Sequence, residues 1–149
     1  MTYNSVLRDD LFSNQTILIT GGGSGIGRCM AHELAHLGAQ VVICGRTQSK
    51  LEDVQNLAER AHAWFGQAPN FVINNAGVAL GGNYLEDISM ADWRWIIDIN
   101  LWGVVHGCKV FVPILREQNH GVLLNVSSAA SFFGAPKMGA YNASKAAVL

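Results

Sequence analysis

The chain has 149 residues, half of them hydrophobic and 14% charged, which excludes a disordered protein and suits a single domain over residues 1–149. Its formal net charge of −1 provides no electrostatic footprint for nucleic acid or an anionic membrane. No uninterrupted apolar run reaches the roughly 18 residues that a membrane-spanning helix needs, and the three cysteines lack metal-ligand spacing. We therefore expect a soluble cytoplasmic protein with reduced thiols, no signal peptide, and neither a membrane nor a nucleic-acid partner.

Short apolar runs alternate with longer segments of helical periodicity. The runs predict strands at residues 17–20, 41–44, 71–73 and 122–126. Apolar residues at helical spacing predict helices at residues 26–37, 48–65, 89–115 and 139–149. The alternation predicts an α/β fold with a Rossmann-like, doubly wound parallel sheet, whose ligands bind at the carboxyl ends of the strands.

The first two helices are expected on opposite faces of this sheet. If the strand order is second, first, third, fourth, the two right-handed crossovers move across the sheet in opposite directions. The positions predicted to face inward are Ile26, Met30, Leu34 and Leu37 on the first helix and Leu51, Val54, Leu57 and Ala61 on the second.

The segment after Ser89 is apolar nearly all round. Ser89 and Asp92 have the spacing of a helix N-cap pair. The helix that follows, with its tryptophans between Trp93 and Trp102, is expected to be buried or to lie in a subunit contact. An apolar substrate is a second explanation for these tryptophans, but packing is the simpler one.

A glycine-rich stretch, Thr20 to Gly27, joins the first strand to the first helix. Glycines allow a tight turn and close approach of the backbone to a ligand, and unpaired N–H groups at a helix start favour a phosphate. We interpret the stretch as a dinucleotide pyrophosphate site rather than a plain surface turn. The assigned residues are Gly21, Ser24, Gly25, Ile26 and Gly27.

Tyr141 and Lys145 are four residues apart and lie on one face of the last predicted helix. A free tyrosine has a pKa of about 10, but a nearby cation favours the phenolate and makes the phenol usable as an acid or base. Ser128, at the end of the fourth strand, could donate a hydrogen bond to a developing oxyanion. On local grounds alone, a solvated helix face and a strand-end cap explain the same residues.

Together these motifs resemble the short-chain dehydrogenase/reductase family from about Ile17 onward. The resemblance rests on the glycine loop, Asn74-Asn75-Ala76-Gly77 after a strand, Asn100 in a long helix, and Ser128 thirteen residues before Tyr141. It implies reversible hydride transfer between a nicotinamide cofactor and a carbonyl or secondary alcohol, with the cofactor supplying the redox chemistry.

The resemblance also implies a role for each site residue. Tyr141 would donate or accept the proton, Lys145 would favour the phenolate and hold the nicotinamide ribose, and Ser128 would orient the substrate oxygen. Asn100 would support a proton relay to Lys145. Asn74, Ala76 and Gly77 would line the cofactor cleft and brace the sheet.

Cofactor choice is argued from the end of the second strand. A carboxylate there would accept a hydrogen bond from the ribose 2′-OH of NAD. This chain instead has Gly45 followed by Arg46, and an arginine can bind a 2′-phosphate through a charge-assisted contact. We predict NADP(H), with NAD(H) or dual specificity if Arg46 is only a solvated loop residue.

The predicted fold is incomplete. Only 26 residues lie between Cys44 and Phe71, whereas two crossover helices, a strand and their loops take roughly 45. One strand and one crossover are therefore expected to be missing, as are the family's later strands beyond Leu149. In the resembled family the missing strand borders the adenine pocket.

From these gaps we expect a weak dehydrogenase at best. The alternative is a catalytically weak or inactive chain that binds dinucleotide or its own kind, since an exposed sheet edge and apolar helix faces favour a homo-oligomer.

A zinc protease is a remote alternative. His32-Glu33-Leu34-Ala35-His36 matches the His-Glu-x-x-His signature, in which two histidines share a metal. However, we expect both histidines on the solvent side of the first helix, and the sequence shows no third ligand. We therefore assign no metal.

Overall fold

The computed structural model describes residues 5–45 and 51–149. The strands are β1 Thr16–Thr20, β2 Gln40–Cys44, β3 Phe71–Asn74 and β4 Val122–Asn125. The helices are α1 Gly25–His36, α2 Leu51–Phe65, α3 Met90–Ile97, α4 Gly103–Glu117 and α5 Gly139–Ala146. Gln48, the predicted first residue of the second helix, lies outside the described residues.

The described strands form one parallel sheet in the order β2-β1-β3-β4. Leu18 at the middle of β1 lies opposite Val42 of β2 and Val72 of β3. The predicted strand order is confirmed, and so is the parallel α/β class.

The two faces of the sheet have separate hydrophobic cores. On one face Ile17, Ile19 and Ile73 pack against Met30 and Leu34 of α1. On the other face the buried cluster is Leu18, Val54, Ala58, Ala61, Val72 and Phe111, which joins the sheet to α2 and α4. Helices α1 and α2 therefore lie on opposite faces, as predicted from the handedness of the crossovers.

Ile26 is a correction to the predicted core. It is 68% exposed, whereas Leu37 at the other end of the same predicted stripe is fully buried. Ile26 is the second residue of α1, and the first turn of this helix rises beyond the carboxyl ends of the strands. Helical periodicity shows which side of the helix faces the sheet, but not where the sheet ends.

The third predicted helix is three consecutive helical segments. α3 and α4 are joined by a π-helical turn, Asp98–Trp102. The Ser89 hydroxyl accepts a hydrogen bond from the Asp92 N–H at 3.0 Å, which confirms the predicted cap. The expectation of burial holds on one side only, because Ile96 and Phe111 are fully buried while Trp95 and Trp102 are about half exposed.

This same run, Met90–Glu117, is long and apolar enough to cross a membrane by length and composition alone, because an 18-residue window within it has a mean hydropathy of 1.3. The expectation that no apolar run approaches this length is corrected here, because the window keeps a high mean hydropathy although it can include up to two charged residues. The same test is passed by core helices of soluble proteins.

Gly107 allows α4 to lie close to β3, and this contact is testable. A Cβ at Gly107 would meet the side chain of Asn74, whereas a Cβ at Gly103, on the same helix, has no neighbour closer than 4.0 Å. We expect Gly107→Ala to lower the free energy of unfolding by about 1–3 kcal/mol through overpacking. Gly103→Ala, the matched control, should be neutral or raise it by up to about 1 kcal/mol. Denaturant unfolding measures both, and equal effects would contradict the close contact.

Candidate active site

The glycine loop after β1 has the geometry of a ligand cradle. Gly21 and Gly25 have φ angles of +67° and +52°, which side chains rarely adopt. Ser24 precedes α1 without capping it through its side chain, and the first turn carries no acidic residue. A Cβ at Gly25 would have no neighbour within 4 Å. The start of α1 therefore has no side-chain cap and has open space beside Gly25, which is an arrangement that favours a phosphate.

Thr20, the last residue of β1, ties this loop to the turn after β3. Its hydroxyl oxygen accepts hydrogen bonds from the N–H groups of Asn75 and Ala76, each at 3.0 Å. The Asn75 amide in turn donates to the Thr20 carbonyl at 2.9 Å. Neither Thr20 nor Asn75 was among the predicted site residues, and only the pairing of β1 with β3 brings them together.

Gly27 and Gly21 are required by the same contact. A Cβ at Gly27 would meet the Asn75 amide and the Gly21 carbonyl, and a Cβ at Gly21 would lie 2.9 Å from the Ala76 Cα. The turn Asn75–Ala76–Gly77 is thus packed directly against the glycine loop.

Asn74 has a different environment. It is 3% exposed, and its side-chain Nδ2 donates to the side-chain Oδ1 of Asn125 at 2.8 Å. The structure therefore places Asn74 on β3 in contact with β4 and α4. Ala76 lies beside the glycine loop, whereas Gly77 borders Lys145 and Asn100.

Asn100 lies in the π-helical turn and is fully buried. Its Oδ1 accepts from the Val78 N–H at 2.8 Å, and its Nδ2 donates to the Val78 carbonyl and to the Ser144 Oγ, each at 2.9 Å. The side chain thus holds the chain just after Gly77 and joins it to α5, one residue before Lys145.

Lys145 is a buried cation, 5% exposed. Its Nζ donates to the Val126 carbonyl at 2.9 Å. A Cβ at Gly77 would lie 3.2 Å from this Nζ and 3.3 Å from the Asn100 Oδ1, so both polar groups border Gly77. Desolvation by burial lowers the pKa of Lys145 below the ordinary 10.5 of lysine.

Two serines hold the backbone of Lys145. The hydroxyl oxygens of Ser127 and Ser131 lie 2.8 and 3.0 Å from the Lys145 carbonyl and 2.6 Å from each other. One hydroxyl therefore donates to the other, and the second donates to the carbonyl. These contacts hold α5 against the segment that follows β4. Ser128 belongs to this segment, between the two serines. The sequence signal for them was only a cluster of small polar residues after a strand.

Ser128 and Tyr141 complete the predicted set. The Ser128 Oγ accepts from the Ala130 N–H at 3.2 Å, so it is a cap of a short 3₁₀ turn, Ala129–Ser131, while its own O–H remains able to donate. Tyr141, in the first turn of α5, is half-buried and packs against the cluster of Ile88, Ile96 and Ala140.

The remaining predicted residues fall elsewhere. Arg46 lies outside the described residues. His32 and His36 are exposed on α1, on the solvent side as expected. Among the described residues no group of three His, Cys, Asp or Glu side chains could hold a metal ion.

Comparison with known proteins identifies the family. The family model described as short chain dehydrogenase matches residues 15–68 and 50–149. A solved short-chain dehydrogenase/reductase from Burkholderia phymatum, in complex with NAD, is 36% identical and superposes with a TM-score of 0.85 over 92% of this chain and 57% of that one. The chain belongs to the short-chain dehydrogenase family, a family of oxidoreductases, and it has an incomplete version of the family's Rossmann-like fold.

Curated relatives have more residues than this chain. An 11-beta-hydroxysteroid dehydrogenase 1A from Arabidopsis thaliana is 32% identical over 174 aligned positions, which cover 99% of this chain and 48% of the relative. An NADP-dependent (R)-specific alcohol dehydrogenase from Lentilactobacillus kefiri is 32% identical over 93% of this chain and 64% of its own length. The chain thus spans about half to two thirds of the length of these relatives.

Part of that difference is internal. The alignment of 174 positions exceeds the 149 residues of this chain, and the two ranges that match the family model overlap at residues 50–68. The overlap lies between β2 and β3, where the sequence predicts a missing strand and crossover. Among the described residues, no strand pairs with the outer edge of β2.

The burial of Lys145 predicts a pH dependence of stability. Because desolvation lowers the folded-state pKa, the unfolded chain binds more protons between that lowered value and 10.5. The wild type should therefore gain stability relative to Lys145→Met as the pH rises through this window. Denaturant unfolding from pH 7 to 10 measures the difference, with Lys109→Met on the exposed side of α4 as the control. A difference that stays flat or falls with pH would show that the ammonium is not desolvated.

Proposed function

We propose that this chain is an NADP(H)-dependent oxidoreductase that transfers hydride to or from a carbonyl or secondary alcohol carbon. The observation that carries the proposal is the buried ammonium of Lys145 beside Gly77. Gly77 follows Ala76, which packs against the glycine loop, and Lys145 lies one helical turn from Tyr141. A buried cation has a large desolvation cost unless it has partners or a function.

The residues around the loop fit a dinucleotide. The first turn of α1 with Gly21, Ser24, Gly25 and Ile26 would hold the pyrophosphate, and the absence of a Cβ at Gly25 leaves room for it. The exposed Ile26 would then cover part of the cofactor. Gly27 permits the close packing of α1 on the turn after β3, whose Ala76 and Gly77 would line the nicotinamide side while Asn74 braces the sheet behind them.

When bound, the cofactor supplies the hydride. In carbonyl reduction the Tyr141 hydroxyl would donate the proton that converts the substrate oxygen to an alcohol, and in the reverse direction it would accept that proton. Lys145 would favour the phenolate after proton transfer and hold the nicotinamide ribose. The Ser128 O–H would donate to the substrate oxygen, and Asn100 would support the relay that returns a proton towards Lys145.

NADP(H) is preferred because of Arg46, which follows β2 where an NAD site has a carboxylate. The Lentilactobacillus relative is named as NADP-dependent, whereas the Burkholderia structure contains NAD. NAD(H) remains the alternative cofactor, and the natural substrate would be a small carbonyl compound or alcohol.

A second candidate is a dinucleotide-binding protein with little or no turnover. The observation in its favour is the outer edge of β2, which has no neighbouring strand among the described residues. In the family that missing strand borders the adenine pocket, so the adenosine half of the cofactor would have fewer contacts. The half-exposed Trp95 and Trp102 favour a homo-oligomer, and we place either form of the protein in the cytoplasm.

The two candidates differ in an oxidation assay. We expect the purified chain to oxidise NADPH in the presence of ketones or aldehydes at a turnover below about 1 s⁻¹, slower than an ordinary enzyme, because cofactor contacts are reduced. Tyr141→Phe keeps the packing of the ring and removes the proton donor, and it should abolish the reaction.

The same assay with NADH should give a higher KM than with NADPH. Carbonyl-dependent oxidation that survives in Tyr141→Phe would contradict the assigned acid. Tight NADPH binding with no oxidation would favour the second candidate.

A further inference from the structure

The loop between β3 and α3 is fastened at both ends beside the candidate active site. At its start, Val78 is held through its backbone N–H and carbonyl by the buried Asn100. At its end, Ile88 is 8% exposed and packs with Ile96 and Ala140. Val78, Leu80 and Tyr141 all pack against this same buried cluster. The first half of the loop and Tyr141 therefore share one apolar cluster.

The middle of this loop is attached to the segment that precedes α5. The Gly82 N–H donates to the Lys137 carbonyl at 3.0 Å, and the Lys137 Nζ lies 4.7 Å from the centre of the Tyr84 ring. A Cβ at Gly139, the first residue of α5, would meet the Leu85 side chain. Three positions of the loop, Gly82, Tyr84 and Leu85, thus lie against two positions of the other segment, Lys137 and Gly139.

Lys137 has a backbone conformation that opposes its own residue type. Its φ angle is +58°, in the left-handed region that suits glycine and asparagine better than lysine. Asparagine would adopt this backbone conformation with less strain than lysine does. Lysine, unlike asparagine, places a cation over the Tyr84 ring, which is a favourable cation–π interaction.

We propose that Lys137 is a positioning residue for the substrate. Its backbone and ammonium hold residues 79–84 against the start of α5, so that Val78 and Leu80 stay beside Tyr141 and contact the apolar part of a carbonyl substrate. This inference rests on the proposed function. Lys137 is assigned no contact with the transferred hydride or with the dinucleotide. Its effect on the substrate is exerted through the loop.

The kinetic test uses variants that separate charge from backbone strain. Lys137→Asn suits the left-handed conformation and removes the cation, Lys137→Arg keeps the cation, and Tyr84→Phe keeps the ring. We expect Lys137→Asn to raise the KM for the carbonyl substrate by about two- to fivefold, with kcat and the KM for NADPH within about twofold of wild type. Lys137→Arg and Tyr84→Phe should have the KM of wild type. Tyr84→Leu should raise the carbonyl KM as much as Lys137→Asn does, and the double variant should raise it no further.

A readout independent of activity is amide hydrogen exchange in residues 79–85. Exchange should be about two- to fivefold faster in Lys137→Asn than in wild type or Lys137→Arg, because the loop opens more often. Unchanged exchange in Lys137→Asn would overturn the attachment, and faster exchange with an unchanged carbonyl KM would overturn its role in substrate positioning. If the wild type has no carbonyl-dependent turnover, the proposed function fails and the substrate role of Lys137 fails with it, while the exchange data still decide whether the cation holds the loop.

Discussion

The candidate site depends on the hydroxyl of Thr20. It accepts hydrogen bonds from the N–H groups of Asn75 and Ala76 and so joins the carboxyl ends of β1 and β3. These two strands are neighbours because the chain crosses back over β1 after β2. The absence of Cβ atoms at Gly21 and Gly27 lets the two turns touch. Partly buried N–H groups without an acceptor are costly, so this one hydroxyl ties the end of β1, where the glycine loop begins, to the turn after β3.

A second constraint brings α5 to the same place. Asn100 joins Val78 to Ser144, and Ser127 and Ser131 hold the carbonyl of Lys145. Lys145 is thereby placed at Gly77, with Tyr141 one turn before it on the same helix. The proposed acid–base residues of α5 are thus held by hydrogen bonds from the π-helical turn and from the segment after β4. The loop that Lys137 contacts packs against the same helix.

Periodicity and crossover handedness were enough to predict the strand order and the faces of α1 and α2, since both follow from local pattern and chain direction. Ile26 was misplaced because the pattern does not show where the sheet ends. The bonds of Thr20 to Asn75, separated by 55 positions, and of Asn100 to Val78 depend on strand pairing and a π-helical turn. Neither the strand pairing nor the π-helical turn has a signal in the local sequence. The contact of Lys137 with Tyr84 also joins distant positions and has no local signal.

NADPH titration of Thr20 variants tests the central claim most directly. The chain contains four tryptophans, whose fluorescence reports binding. Thr20→Ser keeps the hydroxyl, whereas Thr20→Val keeps the shape and removes the oxygen that accepts from the N–H groups of Asn75 and Ala76. The Asn75 N–H then keeps only its bond to the Ile73 carbonyl at 3.0 Å. If this tie organises the cradle, Thr20→Ser binds as wild type and Thr20→Val binds about tenfold more weakly at a temperature where both are folded. Equal affinity of the two variants would contradict the account.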